Sequence, residues 1–82
     1  MRHVLTHAAQ LGQILKSRRR AVKLSQRALA AKLAISQNRL SEIEADPGAL
    51  TVGRFVELAN ILGLELVIQD RPAPGRAQKT EW

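Results

Sequence analysis

Four consecutive residues, Ser36-Gln37-Asn38-Arg39, set a hydroxyl, two carboxamides and a guanidinium side by side. Gln and Asn can each bond adenine through two atoms, and Arg can bond guanine at O6 and N7. The chemistry these types suit is the reading of base edges. Other constellations in the chain are poorer. His3 and His7 share i,i+4 spacing, but no cysteine or carboxylate lies near them in sequence to complete a metal site. No serine stands near a histidine in a nucleophile motif, and no glycine-rich loop is present to cradle a phosphate. Glu44 and Asp46 fall at a helix end with no evident basic or nucleophilic partner. An 82-residue chain also has one small core and little volume for a pocket. The expectation is a protein that is not an enzyme and needs no metal or cofactor.

To enter a groove, these four residues need a helix that starts at Ser36 and is anchored from behind. The hydrophobic spacing supplies one: Leu40 and Ile43 form the apolar side of a helix capped by Ser36. Just before it, Ser25 caps a helix with Ala28, Leu29 and Leu33 facing inward. Two helices joined by a three- or four-residue turn make a helix-turn-helix, whose second helix lies in the major groove. A first helix is expected from an N-cap at Thr6, with Ala8, Leu11, Ile14, Leu15 and Val22 as its apolar set, ending near residues 21–23. Asp46-Pro47-Gly48 reads as a turn. Beyond it Thr51 opens a fourth helix, with Val52, Phe55, Val56, Leu58, Ala59 and Leu62 apolar, and Gly63 as its stop.

The stretch SQRALAAKLAISQNRLSEIE, residues 25–44, strongly resembles the lambda-repressor-like helix-turn-helix family. The matching residues are Leu24-Ser25-Gln26, Leu29-Ala30, Leu33, Ile35-Ser36-Gln37, Leu40-Ser41 and Ile43-Glu44. The resemblance implies a mainly α bundle of four to five helices. It gives Gln26 a grip on a DNA phosphate and Gln37, Asn38 and Arg39 the groove contacts, with Arg27, Ser36 and Ser41 beside them. Where the family commonly has glycine, this chain has Lys23 and Ala34. A non-glycine residue with positive φ costs on the order of 1 kcal/mol.

Charge placement agrees with an anionic partner. Residues 1–41 hold nine Lys/Arg and no acidic residue, whereas residues 42–82 hold four basic and seven acidic ones. A half-chain without a carboxylate suits double-stranded DNA first and an anionic membrane surface second. Arg18, Arg19 and Arg20 sit just before the helix-turn-helix and are expected to flank the phosphate backbone, or else to form a solvated helix end. Lys32 joins them only as one of a group. Glu42 is read as a helical i,i+3 partner of Arg39, with acceptance from a cytosine amino group as the alternative. No run of the chain is apolar enough for a membrane span, and helix one lacks the bulky aromatics of a lipid-surface helix. With no cysteine, no disulfide and no recognisable leader, the chain reads as cytoplasmic and nucleoid-associated.

After Gly63 the period changes from helix to strand. Leu64, Leu66 and Ile68 alternate with Glu65, Val67 and Gln69, forming the one strand pattern of the sequence. A lone strand must pair or be covered, and the economical partner is the same strand of a second copy. The sequence therefore implies a homodimer paired through Leu64, Leu66, Val67 and Ile68, with an extended segment lying on its own helices as the alternative. Residues 1–69 then form the DNA-binding unit, and residues 70–82 a disordered tail that ends in the only tryptophan. A short helix-turn-helix domain, an LGLEL-type strand, a tail and a final Glu-Trp resemble the HipB-type antitoxins. That resemblance implies an autorepressor that partners a HipA-type serine/threonine kinase toxin, with Glu81 and Trp82 docking on it. The competing reading is a stand-alone repressor without a toxin.

Overall fold

Every helix start after the first is signalled by a hydroxyl that accepts from the backbone three residues on. In the computed structural model, which describes residues 2–72, Ser25 Oγ accepts from Ala28 N at 3.0 Å. Ser36 Oγ likewise accepts from Arg39 N at 3.0 Å, and Thr51 Oγ1 accepts from Arg54 N at 3.1 Å. Each cap satisfies an otherwise orphaned amide and opens a helix. The result is α2 (Gln26–Leu33), α3 (Gln37–Ala45) and α4 (Val52–Ile61), preceded by α1 (Ala9–Ala21). A 3-10 turn over Pro47–Ala49 joins α3 to α4, where the Asp-Pro-Gly turn is expected.

The first helix starts differently from expectation. Ala8, not Thr6, is its N-cap, and no side chain caps it there. Instead the carboxamide of Gln10 folds back, and its Oε1 accepts from the amides of Thr6 at 2.6 Å and His7 at 3.1 Å. A glutamine inside the helix thus holds the amides of Thr6 and His7 just ahead of it, whereas a cap at Thr6 would have accepted from Ala8 or Ala9.

Three of the four helices stop in one way. The amides of Lys23 and Leu24 bond back to Arg20 O and Arg19 O; those of Ala34 and Ile35 bond to Ala31 O and Ala30 O. Gly63 and Leu64 repeat the pattern onto Asn60 O and Ala59 O. These are Schellman stops, with one residue left-handed and the next apolar and folded in. Lys23, Ala34 and Gly63 have φ of 61°, 58° and 70°, and Leu24, Ile35 and Leu64 pack against the core. The two positions read from sequence as lacking the family's glycine are therefore left-handed, each at a cost of about 1–2 kcal/mol.

The core is aliphatic throughout. Leu11 and Leu15 from α1, Leu29, Ala30 and Leu33 from α2, Leu40 and Ile43 from α3, and Leu58 and Leu62 at the end of α4 form one buried cluster. Gly12 lets α1 approach α3: a Cβ there would be driven against the Glu44 carbonyl oxygen, closer than real Cβ contacts allow. Not every apolar residue assigned to the core reaches it. Val22, Val52 and Val56 are exposed and Phe55 is only half-buried, because the buried stripe of α4 runs through Leu58, Ala59 and Leu62. Past Leu64 the described chain makes no further backbone hydrogen bond, and Val67 and Ile68 face solvent. Its contact with the start of the chain is a bond from Arg2 Nη2 to Gln69 Oε1 at 2.9 Å. Among the described residues, no helix is long and apolar enough to cross a membrane.

Candidate nucleic-acid interface

The exposed end of α3 carries the residues singled out for base contacts. Ser36, Gln37, Asn38, Arg39 and Ser41 are all solvent-accessible, while Leu40 and Ile43 hold the opposite side of the same helix in the core. The Ser36 cap spends one lone pair on Arg39 N and leaves its hydroxyl proton free to donate. Arg39 Nη1 bonds Glu42 Oε1 at 3.2 Å, the i,i+3 pair expected from sequence. Both side chains are more than half exposed, so the pair is weak and its guanidinium exchanges partners at little cost. The first turn of α3 is thus a rigid, capped backbone with three long polar side chains projecting from it.

The neighbouring helix presents a second set. Gln26 is the first residue of α2 and is half-buried; Arg27 and Lys32 are exposed. Gln26 does not hang free: its Nε2 donates to Glu44 Oε1 at 3.0 Å.

The arginine run divides in a way the sequence reading did not foresee. Arg19, expected on the phosphate backbone, is buried instead. Its Nε meets Glu44 Oε2 at 2.7 Å, with side-chain exposures of 8% and 4%, and its Nη1 donates to Leu24 O at 3.0 Å. Arg18 turns towards α4, where its Nε donates to Leu62 O at 2.7 Å, and a side chain at Gly63 would press on its guanidinium. Arg18 thus serves a carbonyl at the end of α4, where the macrodipole favours positive charge, and Arg19 serves one in the turn between α1 and α2. Arg20 alone of the three is exposed. Arg54 acts similarly from α4, donating to Leu33 O at the end of α2 at 3.0 Å. Glu44, read as partnerless, is therefore the most heavily bonded carboxylate among the described residues.

A signal for the pair was present. Leu11, Leu15 and Arg19 share one helical stripe at i, i+4 and i+8, and Leu40 and Glu44 are i,i+4 on the buried side of α3. Charged residues of opposite sign on two core-facing stripes are candidates for a buried pair. Among the described residues no group of three or more His, Cys, Asp or Glu is close enough to hold an ion. Leu64, Leu66, Val67 and Ile68 lie at the far end of the chain from this surface in sequence, and Glu81 and Trp82 fall outside the described residues.

Comparison with known proteins agrees with the geometry. A profile described as helix-turn-helix (HTH_3) matches residues 15–69. No curated protein matches the chain. Among solved structures, a chain of the HipA-HipB-O2-O3 complex superposes with a TM-score of 0.74 at 26% identity, covering 84% of this chain and 97% of that one. A structure described as MDT Protein gives the same values. The Fe(II) form of HppE in complex with substrate gives a TM-score of 0.66 at 29% identity over 71% of this chain. There the likeness is to part of a larger molecule, since this chain spans 33% of its length. The family match covers more than half of the chain, including the caps, both helices of the motif and α4, and the protein belongs to the lambda-repressor-like helix-turn-helix family.

Proposed function

We propose that this protein is a sequence-specific transcriptional autorepressor, and that it serves as the antitoxin of a HipA-type serine/threonine kinase toxin. The observation that carries the first half is the exposed Gln37-Asn38-Arg39 set on the capped first turn of α3, within a helix-turn-helix family fold. In the major groove, Gln37 and Asn38 suit adenine edges and Arg39 suits guanine. Gln26, Arg27, Ser36, Ser41 and Lys32 hold the flanking sugar-phosphate backbone, and fix register without reading sequence. Two copies bind as a dimer through residues 64–69, with half-sites about one helical turn, roughly 34 Å, apart. The backbone past Leu64, which makes no hydrogen bond within the described chain, favours this pairing, since a second strand satisfies it.

Arg39→Ala tests the base-reading assignment. It is expected to lower affinity for the preferred duplex by about 1–3 kcal/mol and to relax the preference at one base pair. Competition binding against a panel of single-base variants measures this. An equal loss on every sequence makes Arg39 a phosphate contact.

The second half is supported by the similarity, over nearly the whole of both, to a chain of the HipA-HipB-O2-O3 complex. In this reading residues 70–82 are a tether and Trp82 is the anchor, a rigid amphipathic side chain suited to a partner's pocket. Trp82→Ala is then expected to abolish co-purification of a HipA-type kinase encoded beside this chain while leaving DNA affinity unchanged. Full retention of the kinase by the variant removes Trp82 as the anchor, and failure of the wild-type chain to capture any such kinase favours a stand-alone repressor.

A further inference from the structure

The geometry points to Glu44 as a positioning residue of the nucleic-acid interface: locked by Arg19, its carboxylate fixes the carboxamide of Gln26 at the start of α2. The inference rests on the DNA-binding reading above and adds to it a residue that never touches DNA.

Three bonds define the arrangement. Arg19 Nε and Nη2 meet Glu44 Oε2 and Oε1 at 2.7 and 3.3 Å, and Gln26 Nε2 meets the same Oε1 at 3.0 Å. A carboxylate can only accept, and Arg19 holds this one through two donated bonds. A carboxamide has a donor end and an acceptor end, and only the donor end can face Glu44. The orientation of Gln26 is thereby decided before any ligand arrives. One Nε2 hydrogen points at Glu44, and the second is left for another acceptor at this residue, the first of α2, whose opening amides lack helical partners. That is the direction from which a phosphate oxygen would meet a helix N-terminus.

The buried cation has a matching purpose. A bare carboxylate one hydrogen bond behind a phosphate contact would repel the phosphate. Arg19, with its side chain 8% exposed, cancels that charge locally and lets Glu44 orient Gln26 without opposing the ligand. Stability alone does not call for the pair, because a well-packed apolar replacement of a buried ion pair is often as stable or more so. An apolar replacement has no acceptor for the Gln26 amide. Holding a glutamine in place before contact also removes the rotamer entropy that binding would otherwise cost.

The full chain is compared with the double variant Arg19→Met/Glu44→Leu, which removes both charges together and leaves no unpaired charge behind. The first readout is nitrogen-15 relaxation of side-chain amides in the free protein. The Gln26 amide is expected to be as rigid as the backbone in the wild type, and as mobile as the exposed Gln37 amide in the double variant. The second readout is affinity for a duplex that the wild-type chain enriches from a random-sequence library. Gln26→Ala is expected to weaken binding about tenfold or more in the wild-type background, and less than about threefold in the double-variant background. A purely structural pair would change melting temperature and leave the Gln26→Ala factor equal in both backgrounds, which overturns the proposal. A mobile Gln26 amide in the wild type overturns it as well, even where the double variant does not fold. If the wild-type chain enriches no duplex, the DNA-binding reading fails by itself, and the relaxation measurement still decides whether Glu44 holds Gln26.

Discussion

Arg19→Met as a single substitution is expected to cost about 3–5 kcal/mol of unfolding free energy, the amount typical when one partner of a buried ion pair is removed. The loss does not come from the missing attraction alone. Glu44, with its side chain 4% exposed, is left without its Arg19 bonds in a site with little water, and Leu24 O loses its donor from Nη1. The Gln26 amide is the only remaining bond to the carboxylate among the described residues. A domain of this size has a margin of about 5 kcal/mol or somewhat more, so the variant is expected to lie close to unfolding at room temperature. Urea denaturation followed by circular dichroism measures it. Adding Glu44→Leu to Arg19→Met removes the orphan charge and is expected to recover most of the loss. A single variant as stable as the wild type would mean that Glu44 reaches solvent or takes up a proton without difficulty.

Gly12→Val is expected to be comparably damaging, at about 3 kcal/mol or more, the upper end of what overpacking costs. The atom that a side chain at Gly12 would strike is the backbone carbonyl oxygen of Glu44. A side chain could rotate away, but a carbonyl inside α3 moves only with its helix. Displacing that turn of α3 also displaces the carboxylate on which Arg19 and Gln26 converge. The core and the interface are therefore expected to fail together, with the unfolding midpoint and DNA affinity both falling. Gly53 is the internal control, since nothing lies within 4 Å of a Cβ built there. Gly53→Ala is expected to leave stability unchanged or raise it by up to about 1 kcal/mol, through helix propensity alone.

Much of this architecture is legible without coordinates, because it is set over short distances. Ser25, Ser36 and Thr51 announce helix starts through bonds that span three residues. The Leu and Ile spacing announces which side of α2 and α3 is buried. The positions at Lys23 and Ala34 are visible as glycine sites filled by other residues, and both are left-handed. The base-reading set is legible for the same reason: exposure of Gln37, Asn38 and Arg39 follows once Leu40 and Ile43 take the other side.

Where sequence reading went astray, the deciding partner was far away in the chain. Arg18, Arg19 and Arg20 are alike as a string, yet one serves Leu62 O, one is buried against Glu44 and one is exposed. Their fates depend on α4 and α3 packing on α1, separated from it by 44 and 25 residues. Val52 and Val56 satisfy a helical apolar pattern but stay exposed in the single chain, since the face of α4 that packs is set by Leu58, Ala59 and Leu62. At Thr6 the deciding contact was local: Gln10 Oε1 takes up the Thr6 and His7 amides, and the helix starts without a side-chain cap.

By itself, then, the sequence determined the helices, their caps and stops, the aliphatic core and the polar end of α3, all consequences of hydrogen bonds and periodicities a few residues long. Tertiary structure alone decided what Arg18, Arg19 and Glu44 do. A charge has no preferred partner within its own helix strong enough to outweigh desolvation, so its role is settled by whichever carbonyl or carboxylate packing brings within reach.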